Sequence, residues 1–261
     1  MVMNDSILTT RDGDIATVTL NRPDKLNALN RAMWEGLGDT MHLLSDNDSL
    51  RCIVLRGAGG KAFAAGADIA EFATERANAR QAKHYGDLIH ATMQSVAQCK
   101  HPTVALIEGA CVGGGLEIAA MCDMRVCGSS SRFGVPINKL GLTMGYGELA
   151  GLLALVGRAV ALEILLEGRV FSADEAYHKG LVNQVVADDQ VETEAYALAR
   201  RITNGAPLVA RWHKQFIERL TVRADIPAEE WDTGFACFDT DDYRTGVKAF
   251  LDKTKPKFEG R

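Results

Sequence analysis

The stretch "GACVGGGLEIAAMCD", Gly109 to Asp123, decides how this chain is read. Three consecutive glycines, Gly113 to Gly115, stand directly before an apolar segment that carries one carboxylate, Glu117. Glycine runs mark a turn or a close backbone approach, and a strand-to-helix corner needs that freedom. The helix that follows would present unsatisfied N–H groups at its start, where its dipole favours negative charge. Such a corner can hold an anion, or an oxygen that becomes anionic during reaction. Three common glycine-rich motifs do not fit. The segment lacks the spacing of G-x-G-x-x-G, the G-K-[ST] ending of a phosphate loop, and the serine of G-x-S-x-G. Glu117 admits two readings. Facing solvent, it would only complement the helix dipole; among Leu116, Ile118, Ala119 and Ala120, desolvation would raise its pKa and suit it to proton transfer.

A second loop strengthens the chemical reading. "GGKAFAAGADI", Gly59 to Ile69, also follows an apolar strand pattern, "RCIVLRG", and also precedes a helix-like segment with Asp68 at its start. Two such loops can give one N–H each to a single oxyanion hole, where losing one donor typically costs ~3–4 kcal/mol. With a carboxylate beside them, the layout fits proton transfer next to a carbonyl.

The rest of the chain sets the frame. It has 261 residues, 47% hydrophobic and 24% charged, with a net charge of −5, so a dominant nucleic-acid surface is not expected. Cys52, Cys99, Cys111, Cys122, Cys127 and Cys237 form no C-x-x-C pair and read as reduced small hydrophobes. The six histidines show no ligand spacing, so no metal is expected. No signal-peptide layout is seen and no uninterrupted apolar run reaches the ~18–20 residues of a membrane span, so a cytoplasmic protein with no membrane partner is expected.

Local patterns predict a hairpin over "ILTTRDGDIATVTLN", turning at Asp12-Gly13, then a helix from about Arg31 to Leu44 capped by Asn30. "RCIVLRG", "TVALIEG", "MRVCG" and "LVNQVV" read as strands, and about Asn78 to Gln98 as a helix. "ELAGLLALVG" and "RAVALEILLEG" read as two apolar helical runs, each closed by glycine. "SADEAYHKG" reads as a short helix with a Ser172–Glu175 capping box and Gly180 after its end. Three or four helices follow, with Pro207 and Pro227 near helix starts. Strand–loop–helix units of this kind suggest an α/β fold of stacked layers.

In order along nearly the whole chain, "LNRPDKLNALN", "RCIVLRGAGGKAFAAGADI", "EGACVGGGLEIAAMCDMRV", "SRFGVPINKLGL", "GRVFSADEAYHKGLVNQVV" and "KPKFEGR" resemble the signature segments of the crotonase (enoyl-CoA hydratase/isomerase) superfamily. The resemblance implies a spiral of repeated ββα units over residues 1–200 and a helical C-terminal region over residues 201–261. It implies assembly as a homotrimer or a dimer of trimers, and an acyl-CoA thioester as substrate, with coenzyme A entering as part of that substrate and no separate cofactor. By position, the oxyanion hole falls on the backbone N–H groups of Ala67 and Gly114, and Glu117 on the first of two hydratase glutamates. Lys25, Leu26, Ala28, Ala65, Asp68 and Ile69 line the coenzyme site, and Gly113, Pro136, Ile137 and Leu140 border the substrate. The helical segment from about Thr74 to Gln98 borders the acyl pocket.

One departure bears on the reaction. The loop after Phe133-Gly134 reads Val135-Pro136-Ile137, so isoleucine stands where hydratases carry their second glutamate. Glu148, in "LTMGYGELAG", is either a displaced second acid or a first-turn helix residue favoured by the dipole; the second reading is preferred. Hydration of a 2-trans-enoyl-CoA to the 3-hydroxyacyl-CoA is the expected activity. Isomerisation, decarboxylation or thioester hydrolysis, all served by the same oxyanion hole, are the alternatives, and a non-catalytic acyl-CoA-binding subunit is a further one.

Overall fold

The computed structural model describes residues 5–221 and 236–261. The chain opens with strands β1 (Ile7–Asp12) and β2 (Ile15–Leu20), antiparallel and joined at Gly13, whose φ of 60° suits a tight turn. Helix α1 (Arg31–Asp46) starts where Asn30 Oδ1 accepts the Met33 N–H at 3.0 Å. From there a unit repeats. A long strand is followed by a three-residue strand and then by helix: β3 (Cys52–Gly57), β4 (Ala62–Ala64), α2 (Phe72–Glu75) and α3 (Ala79–Ala97). The next unit is β5 (Thr103–Ile107), β6 (Ala110–Val112) and α4 (Gly114–Met121). The third is β7 (Met124–Gly128), β8 (Arg132–Gly134) and α5 (Tyr146–Glu167).

The two strands of each unit go to different sheets. The long ones form one sheet in the order β1-β2-β3-β5-β7-β10, where β10 is Gln184–Val186, and the short ones a second, β4-β6-β8-β9, where β9 is Phe171–Ser172. Apart from β1 and β9, neighbours run parallel, with Ile53 opposite Thr103 and Val104 opposite Met124. Both faces of the sheet are covered at β3, β5 and β7, which is why these strands read as apolar runs. Val54, Val104, Leu106 and Val126 point to α7 (Val191–Thr203) through Val191, Ala195 and Ala199. The alternate residues Ile53, Leu55, Ala105, Ile107 and Cys127 point to the main core with Met33, Trp34, Phe63 and Phe133. The five described cysteine side chains are buried and unbridged.

Three expectations are corrected, although the two apolar runs after Gly145 stand as read, as helical halves of α5 closed by Gly157, whose φ 73° and ψ 170° are non-helical, and by Gly168 at φ 54°. Joined, they are long and apolar enough to cross a membrane, contrary to the expectation that no run approaches that length. Leu152, Ala161 and Ile164 nonetheless bury it against the core. The capping box of α6 (Ala173–His178) is half formed. Ser172 Oγ accepts the Glu175 N–H at 3.2 Å, but the Glu175 carboxylate turns to Arg169 and Lys179 instead of reaching back. Finally, β4, β6 and β8 occupy stretches whose pattern reads as loop or corner. After β10 (Gln184–Val186) and α7, helix α8 (Pro207–Thr221) begins at Pro207 as expected, and α9 spans Asp241–Leu251; Pro227 lies outside the described residues.

Candidate active site

Each of the three glycines before Glu117 meets a separate constraint. Gly113 takes φ 51° and ψ −122°, a conformation that side-chain-bearing residues avoid. A Cβ on Gly114 would stand 2.9 Å from Leu29 Cδ1 and 3.1 Å from Trp34 Cζ2; one on Gly115 would stand 2.3 Å from the Ala64 carbonyl oxygen. The run therefore turns the chain from β6 into α4 and lets α4 sit directly on β4 and α1. The contact joins the two glycine-rich loops, because a Cβ on Gly113 would lie 3.5 Å from Gly66 Cα.

Where the loops meet, two N–H groups remain unspent. The Gly113 N–H donates to Gly134 O at 2.9 Å, and the Glu117 N–H to Gly113 O at 2.9 Å. The neighbours of Ala67 are pinned to the loop before α1: Leu29 donates to Gly66 O and Asp68 donates to Leu29 O, both at 2.8 Å. Among the described residues, neither the Ala67 N–H nor the Gly114 N–H has a hydrogen-bond partner. Both residues border one cavity of about 150 Å3.

That cavity brings together Ala65, Ala67, Ile69, Gly113, Gly114, Glu117, Pro136, Ile137, Leu140 and Glu148 of the residues singled out from sequence. Glu117 is 8% exposed, and no hydrogen bond reaches its carboxyl among the described residues. Burial, with the charge of Glu148 adding to it and Arg76 opposing it, pushes its pKa up to about 8. Glu148 sits in the first turn of α5, and its Oε2 accepts the Gly145 N–H at 2.5 Å. It is thus a helix-capping residue, and it also faces the cavity that holds Glu117. Ile137 presents an apolar wall from the turn Pro136–Leu140.

Lys25, Leu26, Ala28 and Asp68 do not border the cavity; they lie on the adjoining chain. Leu26 and Asn27 take φ 51° and 56°, held because the buried Asn27 amide donates to Ala58 O and Ala62 O. Asp68 is spent on structure. It pairs with Arg22 at 2.9 Å, which draws its carboxyl below the usual range, and its Oδ1 accepts the Ala70 N–H. Trp34, Phe72, Arg76, Ile89 and Met144 also line the cavity and were not read as individual site residues. Of these, Arg76 and Ile89 belong to the segment expected to border the acyl pocket; Trp34 gave only a helical core spacing.

The family model described as Enoyl-CoA hydratase/isomerase matches residues 10–261. The short-chain-enoyl-CoA hydratase of Clostridium acetobutylicum is 34% identical over 258 residues, covering 98% of this chain and 97% of that one. The crotonyl-CoA hydratase of Syntrophomonas wolfei is 33% identical, over 97% of this chain and 98% of its own. Among solved structures, an enoyl-CoA hydratase/carnithine racemase from Magnetospirillum magneticum superposes with a TM-score of 0.97 at 51% identity, covering 98% and 96% of the two chains. The two-sheet arrangement of repeated strand–strand–helix units is thus the crotonase ββα spiral, followed by its C-terminal helices. The chain belongs to the enoyl-CoA hydratase/isomerase family, and with it to the acyl-CoA-processing enzymes of the crotonase clan.

Proposed function

We propose that this cavity stabilises the enolate of an acyl-CoA thioester, and that its reaction is hydration of a 2-trans-enoyl-CoA to the 3-hydroxyacyl-CoA. The observation that carries the reading is a buried, protonatable Glu117 in one cavity with two unpartnered backbone N–H groups. The thioester oxygen accepts from the Ala67 and Gly114 N–H groups, which are already in place and need no reorganisation as charge develops. Lys25, Leu26, Ala28, Ala65, Asp68 and Ile69 hold the coenzyme portion along the adjoining loops.

Burial favours the protonated form of the Glu117 carboxyl, so it serves as the acid at the α-carbon. The Glu148 carboxylate takes a proton from water as the water oxygen bonds to the β-carbon. The C=C π electrons move into the thioester, giving the enolate. The enolate then collapses as its α-carbon takes the Glu117 proton. One water is consumed, and the proton left on Glu148 returns to Glu117. Two carboxyl groups in different environments divide acid from base work in this way.

The test is loss of enoyl-thioester ultraviolet absorbance when crotonyl-CoA meets the protein, beside Glu117→Gln and Glu148→Gln. Loss abolished by the first substitution and reduced by the second supports the scheme. No loss with the intact protein, for crotonyl-CoA, longer enoyl chains or an enoyl-CoA whose acyl group ends in a carboxylate, sets hydration aside. Ile137 favours one second reading, because an apolar wall at that position suits enolate chemistry without water addition: isomerisation or decarboxylation. Binding without turnover across all these substrate classes would mark a non-catalytic acyl-CoA-binding subunit.

The active assembly is a homotrimer or a dimer of trimers. The apolar outer faces of α5 and α8 support it, since Leu166, Ile217 and Leu220 are all more than half exposed on one chain.

A further inference from the structure

Arg76 ends helix α2, where its own N–H donates to Phe72 O at 3.0 Å, and its side chain lines the cavity that holds Glu117. The guanidinium lies over two aromatic rings, 4.8 Å from the Phe72 centroid and 4.4 Å from that of Tyr85. Those rings fix it in place. They do not neutralise it, and among the described residues Arg76 forms no ion pair. The neighbouring carboxylates are committed elsewhere. Glu71 Oε2 accepts the Arg31 N–H at 2.8 Å and the Tyr85 hydroxyl at 3.3 Å, and Glu75 pairs with Arg31 Nη1 at 2.9 Å. By contrast Arg22, Arg31, Arg51, Arg56 and Arg169 each meet a carboxylate.

The cavity that Arg76 lines is mostly apolar, with Phe72, Ile89, Ile137, Leu142 and Met144 on its walls; its two carboxyl groups are Glu117 and Glu148, the latter accepting the Gly145 N–H, and neither forms an ion pair with Arg76 among the described residues. An unsubstituted acyl chain filling the space would strip water from the guanidinium and return nothing for it. A carboxylate would supply two acceptors in the geometry a guanidinium prefers, in surroundings that strengthen the pairing. The geometry points to an acyl group that itself carries a free carboxylate, that is, the monothioester of a dicarboxylic acid, with Arg76 as the specificity-determining residue. This rests on the acyl-CoA reading above and names the class of acyl group. Coenzyme A phosphates offer the same anionic chemistry. The acyl carboxylate is favoured because Arg76 lines the same cavity as Glu117, the reacting end, whereas Lys25, Leu26 and Ala28 of the expected coenzyme segment lie outside it.

Calorimetric binding of glutaryl-CoA and pentanoyl-CoA tests this without requiring turnover, since both acyl groups have five carbons and only one ends in a carboxylate. The intact protein is expected to bind glutaryl-CoA about tenfold or more tightly than pentanoyl-CoA, the range for a hydrogen bond to a charged group. Arg76→Gln should bring the two affinities together by weakening glutaryl-CoA alone, and Arg76→Lys should restore part of the difference. Equal affinities in the intact protein overturn the inference and leave the acyl-CoA reading standing. An equal loss for both ligands in Arg76→Gln overturns it too and places Arg76 on the coenzyme phosphates. Binding of neither ligand removes the acyl-CoA reading and the inference with it.

Discussion

The Glu117 carboxyl lies on α4, a helix whose eight residues are all buried. Its raised pKa has a consequence for folding as well as for chemistry. Between its ordinary 4.5 and about 8, the folded chain keeps a proton that the unfolded chain has released. Its contribution to stability is therefore fully present below pH 4.5 and is lost as pH rises through about 8. Glu117→Gln removes this titration, so denaturant unfolding of the variant should lose less stability than the parent between about pH 5 and pH 9. Activity should move the other way. The same substitution should lower turnover by about 10²–10⁴-fold, the usual worth of a positioned acid or base. In the parent, any step that needs the protonated carboxyl should decline above pH about 8, read from initial rates across pH. A stability profile unchanged by Glu117→Gln would mean that the carboxyl is better solvated than its burial implies.

At the scale of elements, the sequence was most legible where one period ran long enough to count. The hairpin, α1 with its Asn30 cap, α3 behind Asn78, and the long strands β3, β5 and β7 all stand where apolar spacing put them. The second sheet was not legible by pattern, because β4, β6 and β8 have three residues each and cannot display a period of two. Those short strands nevertheless place the glycine loops side by side, so the site's composition was readable and its assembly was not. Glu148 shows the same limit: its capping role follows from its place in the first turn, but its place in the cavity with Glu117 depends on packing between α4 and α5. Two glycine variants separate conformational need from steric need. Gly157→Ala meets nothing within 4 Å, so its cost is that of an L-residue at φ 73° and ψ 170°, about 1–3 kcal/mol by thermal or denaturant unfolding. Gly115→Ala drives a Cβ into the Ala64 carbonyl and should cost about 1–3 kcal/mol or more. It should also depress activity, because the displaced α4 carries both the Gly114 N–H and Glu117.

At the scale of the whole molecule, α5 is long, apolar and sparsely covered. Only 17% of the most apolar stretch of α5 is buried, with Leu166 72% exposed; α8 adds Ile217 at 66% and Leu220 at 61%. Large apolar side chains exposed together are poorly solvated, and contact with a further surface would bury them at ~25 cal/mol per Å2. A lipid bilayer and another copy of the chain are the two surfaces to separate. Against the bilayer, the bend at Gly157 interrupts α5, and Leu152, Ala161 and Ile164 anchor it to the globular core. A helix packed by one face on its own domain cannot also be ringed by lipid. Copies of the chain are the better fit, since their contact would bury the outer faces and leave the inner wall of α5, with Glu148, on the cavity. Light scattering on protein purified without detergent should therefore give three or six times the 28.2 kDa chain mass. Placing a charge in the contact, as Ile217→Glu with Leu220→Glu, should shift that mass downward while the far-ultraviolet dichroism is kept. A parent that scatters as a single chain would rule out the trimer, and one that stays dispersed only in detergent would return the bilayer to consideration.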